Sequence, residues 1–174
     1  MTRVRGEKAR RTDVIVDSEY GEILKNAQAI PLEFYRLRTL ALLALIRLVG
    51  KRREEIAGVA VDDVKVNVSS REVIAWFGLE KKIRRKKGDD RPRPPPPRAS
   101  KRFDLADPLI QHVLNWMGYL AHLGASSGVR IKWLFPRTRR PFGNKLIIDS
   151  DNHVGGRQIY NLIIEVSPWI WPQL

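Results

Sequence analysis

The chain has 174 residues; 32 are Lys or Arg against 19 Asp or Glu, a formal net charge of +13, and 43% are hydrophobic. That apolar share excludes a wholly disordered chain, and at this length one compact core would bury roughly 70% of the unfolded surface. Cysteine is absent, which excludes disulfides, Cys-ligated zinc, iron–sulfur clusters and thiol nucleophiles.

The first twelve residues are basic and no apolar stretch comes after them, so no secretory signal is read there. Asp17 or Ser18 can cap a short helix through Ala27. Pro31 suits the first position of a long helix, where its missing N–H has no partner in any case. That helix, 32–49, is apolar nearly all round from Leu40 to Ile46, the mark of a central core helix, and Gly50 ends it. The same run is too short to span a bilayer and Arg47 closes it, so a soluble, cytoplasmic protein is expected. A further helical turn is predicted over 52–57. Two strands, 64–68 and 72–77, read as β-branched or aromatic segments joined around Ser69-Ser70.

Four consecutive prolines, Pro94 to Pro97, make 86–100 an extended, polyproline-like loop. Residues 103–105 are predicted to return as a strand. Asp107-Pro108 starts a helix on which Leu109, Ile110, Val113, Leu114, Met117, Leu120 and Leu123 keep a helical period, with Gly124 as its stop. A short apolar segment, 131–135, precedes a basic loop, 137–140. A last helix is expected over 158–165, ahead of a Trp-rich tail, 168–172. The fold class predicted is therefore α/β, mainly helical, with a small antiparallel sheet from 64–68, 72–80 and 102–105. His112, His122 and His153 show no metal-binding spacing, and neither metal nor cofactor is expected.

The charge is not spread evenly. Residues 1–12 carry a net +4, and 81–102 hold eleven basic residues against Asp89 and Asp90, a net +9. The remaining segments, 13–80 and 103–174, contribute −2 and +2. Such concentration fits a polyanion-binding tail and loop; solvated basic tracts that aid solubility are the other reading. The DNA-binding candidates are Arg84, Arg85, Lys86, Lys87, Arg91, Arg93, Arg98, Lys101 and Arg102.

The most informative passage is Val49-Gly50-Lys51-Arg52-Arg53-Glu54-Glu55-Ile56, with Asp62-Asp63-Val64 shortly after it. It resembles the first conserved box of the tyrosine recombinase (phage integrase) family, T-G-L-R-x-x-E-I and then D-I before a strand, with Lys51 and Val49 departing from the usual leucine and threonine. The succession of elements beyond the box also resembles the family's order: a hairpin carrying a lysine, a helix, a Leu134-Phe135-Pro136 element and another helix. Trp76-Phe77-Gly78, Gly155-Gly156-Arg157-Gln158 and Trp171-Pro172 look like the wording of archaeal viral integrases.

The resemblance implies that Arg52 is the first catalytic arginine, Glu55 the accompanying acid, and Lys81 or Lys82 the hairpin lysine. Enzymes of this family attack a DNA phosphodiester with a tyrosine; arginines grip the developing oxyanion and a lysine protonates the leaving oxygen. Without the resemblance, Arg52 is a helix-end charge paired with Glu55 at i+3. The family's Pro-His-x-x-Arg box would begin at Pro172, yet Gln173 holds the histidine position and Leu174 is the last residue. Tyr20, Tyr35, Tyr119 and Tyr160 all precede that box. The domain reading is thus a basic tail, 1–12, and a truncated integrase-like catalytic domain, 13–174, inactive alone. Expected partners are duplex DNA and either a separate C-terminal integrase fragment or intact integrase protomers, with no membrane. A stand-alone DNA binder and an RNA-binding accessory protein are the competing functions; stacking aromatics within 81–102 would favour single strands.

Overall fold

A computed structural model describes residues 17–51, 53–78, 98–139 and 147–167. Its elements, in order, are α1 (Asp17–Gln28), α2 (Glu33–Val49), α3 (Arg53–Ala57), a 3-10 turn (Val61–Asp63), β1 (Val64–Asn67), β2 (Glu72–Gly78), β3 (Arg98–Asp104), α4 (Pro108–Ser127), β4 (Pro136–Arg139), β5 (Ile147–His153) and α5 (Gly156–Val166). The described residues form a mixed α and β structure with two small antiparallel sheets.

Helix α2 forms the centre. Every residue from Arg38 to Leu45 is buried, with Phe34 and Val49 beside them. Glu33 in its first turn and Arg47 in its last complement the helix dipole. Gly50 closes it in the left-handed conformation at φ 62°, its N–H reaching the Ile46 carbonyl at 3.1 Å. The start differs from the expectation. Leu32 is extended and accepts the first helical bond, from the Arg36 amide at 2.9 Å. Pro31 therefore precedes the cap instead of opening the helix, and the Ile30 amide before it donates to the Ala27 carbonyl as α1 ends.

Helix α4 lies on α2 through Ile110, Val113, Trp116 and Leu120. Phe34 meets Trp116 edge-on at 5.2 Å, and the Trp116 indole donates to the Leu134 carbonyl at 2.6 Å. Asp107 caps the helix by accepting from the Leu109 amide at 2.8 Å, with Pro108 in the first turn. Gly124 does not stop it. The helix runs on to Ser127, and Gly128, at φ 67°, makes the left-handed cap. Gly124 is needed for a close approach: a Cβ there would sit 3.0 Å from the Val129 carbonyl oxygen, which folds back over it.

In the first sheet β2 is central, β1 and β3 flanking it antiparallel. Val73, Ala75 and Phe77 of β2 alternate into the core at 1–2% exposure. Residues 98–100, expected in the loop, belong to β3, which pairs with β2 along its whole length from Gly78↔Arg98 to Glu72↔Asp104. The pattern Arg-Ala-Ser-Lys-Arg-Phe-Asp hides this strand, since only Phe103 is a large apolar residue facing inward. The second sheet was not expected. Residues 137–139, read as a basic loop, form β4 with Pro136 and pair with β5, with an irregularity between Pro136 and Arg137. Backbone bonds supply that pairing where side-chain pattern does not. Leu134 and Phe135, wholly buried, are tied in by Leu134 N–H to the Val59 carbonyl and Val154 N–H to the Phe135 carbonyl, both 2.9 Å.

Helix α5 packs on α3 and on the start of the fold, where Ile23, Ala27, Leu40, Leu43 and Val166 make a second apolar cluster. The tail 1–12 and the Trp-rich tail 168–172 lie outside the described residues.

Candidate nucleic-acid interface

Three of the basic candidates, Arg98, Lys101 and Arg102, stand on β3. Arg52, Lys81, Lys82, Arg84, Arg85, Lys86, Lys87, Arg91 and Arg93 lie outside the described residues. The strand alternation sorts the three into two faces. Lys101 is opposite Ala75 and so shares the core-facing side of the sheet; Arg98 and Arg102 are opposite Gly78 and Ile74 on the other side.

Each of the three already has a partner in the fold. Arg98 ion-pairs with Asp63. The Lys101 ammonium donates to the Leu48 carbonyl at 2.5 Å, neutralising one of the free carbonyls at the end of α2. Arg102 sits 3.6 Å from Glu72, with 70% of its side chain exposed. A pair so loose and so wet contributes little, and Arg102 is the one of the three most open to an incoming phosphate.

The outward face of this sheet holds two residues that sequence reasoning did not connect with the basic segment. Trp76 is half-buried there, directly opposite Ser100 and diagonal to both Arg98 and Arg102. Lys65 of β1 is opposite Ile74 on the same face. Only the register brings Trp76 beside arginines more than twenty positions away, so no local signal was available.

Immediately after position 52, helix α3 touches both β2 and α5. The Arg53 guanidinium lies 4.9 Å from the centre of the Tyr160 ring. A Cβ on Gly156 would run into the Glu54 carboxylate, which places that acid at the N-terminus of α5, where the dipole favours it. The Gly155 amide is satisfied by Gln158 Oε1 at 3.0 Å. Of the four tyrosines only Tyr160 is exposed, at 47%.

Among the described residues no group of His, Asp and Glu side chains converges on a metal position, and no helix is long and apolar enough to cross a membrane. No family model matches the chain, and no curated protein is significantly similar to it.

Proposed function

We propose that the chain is a DNA-binding protein with the layout of the front part of a tyrosine-recombinase catalytic domain, gripping duplex DNA through phosphate contacts from the basic segment between β2 and β3. The observation that carries this reading is the charge concentrated between two paired strand ends. Residues 79–97 hold eight basic and three acidic residues, and they join Gly78 to its direct partner Arg98. Phosphate neutralisation of this kind is sequence-independent, with affinity of roughly 10⁻⁴ to 10⁻⁶ M at physiological salt.

On this reading Arg52 and Lys81 or Lys82 are phosphate ligands matched to the family, and strand exchange is not assigned to the 174-residue chain. Its further partner is an integrase polypeptide that carries the second arginine box and the tyrosine. Anisotropy titrations of a labelled duplex against salt test the grip. Neutralising Lys86, Lys87, Arg91 and Arg93 together should weaken binding and flatten the salt slope; an unchanged slope means the segment is not the contact.

A second reading, a nucleic-acid-binding accessory protein for single strands, draws support from Trp76 between Arg98 and Arg102. Base–aromatic stacking adds about 1–3 kcal/mol per base. Replacing Trp76 with leucine should then weaken an unpaired oligonucleotide and leave a duplex unaffected.

A further inference from the structure

Arg38 occupies the middle of the most buried helix, and only 4% of it is exposed. The Phe34 and Tyr35 rings hold its guanidinium, their centres 5.2 and 5.0 Å from the central carbon. Its Nε has no hydrogen-bond partner among the described residues, and none of their carboxylates comes within ion-pairing distance of it. Burial pushes its pKa down to about 10, against the opposing influence of Tyr35 and Glu165. At neutral pH it is still a cation. Among the described residues Arg38 is thus a buried charge that Glu165 influences without an ion pair, an arrangement that is costly until an anion completes it.

Arg38 lines a cleft of about 190 Å³ between α2, β4 and α5, whose other polar walls are Thr138, Gln158, Asn161 and Glu165. Glu165 decides what kind of anion fits. An oxyanion without a proton meets its carboxylate as a like charge. An oxyanion that still bears an O–H does not, because its bare oxygens accept from the guanidinium while its O–H donates to the carboxylate.

We propose that this cleft binds a phosphate group with a free P–OH, inorganic phosphate or a terminal phosphate monoester, held between Arg38 and Glu165 with Thr138 and Asn161 supplying further hydrogen bonds. A phosphodiester inside a DNA strand has no such O–H. The site is therefore separate from the duplex grip and does not rest on it.

Thermal unfolding of the 174-residue chain tests the site with inorganic phosphate, sulfate and a nucleoside 5′-monophosphate at matched ionic strength and pH about 6, where phosphate and the monoester both retain a P–OH. Low millimolar concentrations keep the salts below the range in which they stabilise by exclusion. Phosphate should raise Tm in a saturable way, as a ligand bound only by the folded state does. Sulfate, fully deprotonated at that pH, should give a much smaller rise. A rise with the monophosphate identifies monoesters as a source; none confines the site to the free ion. Arg38→Met should abolish the phosphate shift. Glu165→Gln, at an exposed position, should keep the fold and bring sulfate up to phosphate. No phosphate shift in the unaltered chain overturns the proposal. So do equal shifts from phosphate and sulfate in the unaltered chain, or a phosphate shift that survives Arg38→Met.

Discussion

The Arg98 guanidinium reaches across β2 to the carboxylate of Asp63, linking the start of β3 to the residue that leads into β1. The other oxygen of Asp63 accepts from the Ala60 amide at 3.0 Å. The acid therefore serves the 3-10 turn and the far edge of the sheet together. Asp63→Ala should cost about 1–2 kcal/mol, the size of a lost cap. Arg98→Ala should cost about 0–1 kcal/mol, as exposed pairs do. Urea unfolding of both variants measures the difference; equal losses would show that the pair, and not the cap, is what matters.

The two neighbouring cations on β3 should behave differently toward DNA. Arg102 is loosely paired and exposed, so Arg102→Ala should reduce the salt slope of duplex binding by about 0.9. Lys101 is committed to the Leu48 carbonyl, so Lys101→Ala should leave that slope alone and lower stability instead. Salt-dependent anisotropy together with urea unfolding separates the two; a slope change from Lys101→Ala contradicts the assignment.

Alkaline pH should loosen the fold through Tyr20. Burial raises its pKa to about 12, outweighing the lowering effect of Arg47, and its hydroxyl has no hydrogen-bond partner among the described residues. Between pH about 10 and about 12 the unfolded chain has given up this proton while the folded chain keeps it. The native state then binds more protons, so stability falls as pH rises through that window and is unaffected below it. Tyr20→Phe should remove part of the alkaline loss and be near neutral at pH 7. Denaturation midpoints of both proteins, at neutral pH and within the window, test this.

The 174-residue chain should not trap DNA covalently. On the proposed reading Arg52 matches one arginine of the family's catalytic pair, and Tyr20, Tyr35, Tyr119 and Tyr160 all stand upstream of where its nucleophile would be. Without an aligned nucleophile the covalent and entropic parts of the acceleration are missing. A suicide duplex resolved on a denaturing gel is the assay. Tyr160, exposed beside Arg53, is the residue to watch: a covalent band that disappears with Tyr160→Phe would refute the prediction. A band that forms only with an added C-terminal fragment supports a split enzyme.

Much of the helical scaffold was legible because its signals are local. Gly50 after an apolar run and Asp107-Pro108 ahead of a 3.6-residue period each fix a boundary without reference to the rest of the chain. The second sheet was not legible, since Arg137 to Arg139 carry no alternation and are held by backbone pairing to β5. Gly124 misled for a related reason: it answers a steric demand set by Val129 and not a change of backbone direction. At the candidate interface, the charge of 81–102 could be counted from the sequence. The partners that commit Arg98 and Lys101 could not, because Asp63 and Leu48 are 35 and 53 positions away. Arg38 was hidden as well. A charge in a mostly apolar helix is ordinarily read as solvent-facing, and nothing local distinguishes Arg38 from Arg36 or Arg47 as the one that lies against α5 and β4.

The missing methyl at position 124 works as a spacer of zero thickness. With hydrogen there, the chain leaving Gly128 lies flat on the last turns of α4. The run from Lys132 to Leu134 hangs from that seat, holding the Val61 amide, the Val59 carbonyl and the Trp116 indole. Helix α4 is anchored on α2, so a Cβ added at 124 would press on the segment at Val129 and not on the helix. A few tenths of an ångström of clearance on the outside of one helix thereby set the depth at which Leu134 and Phe135 enter the core.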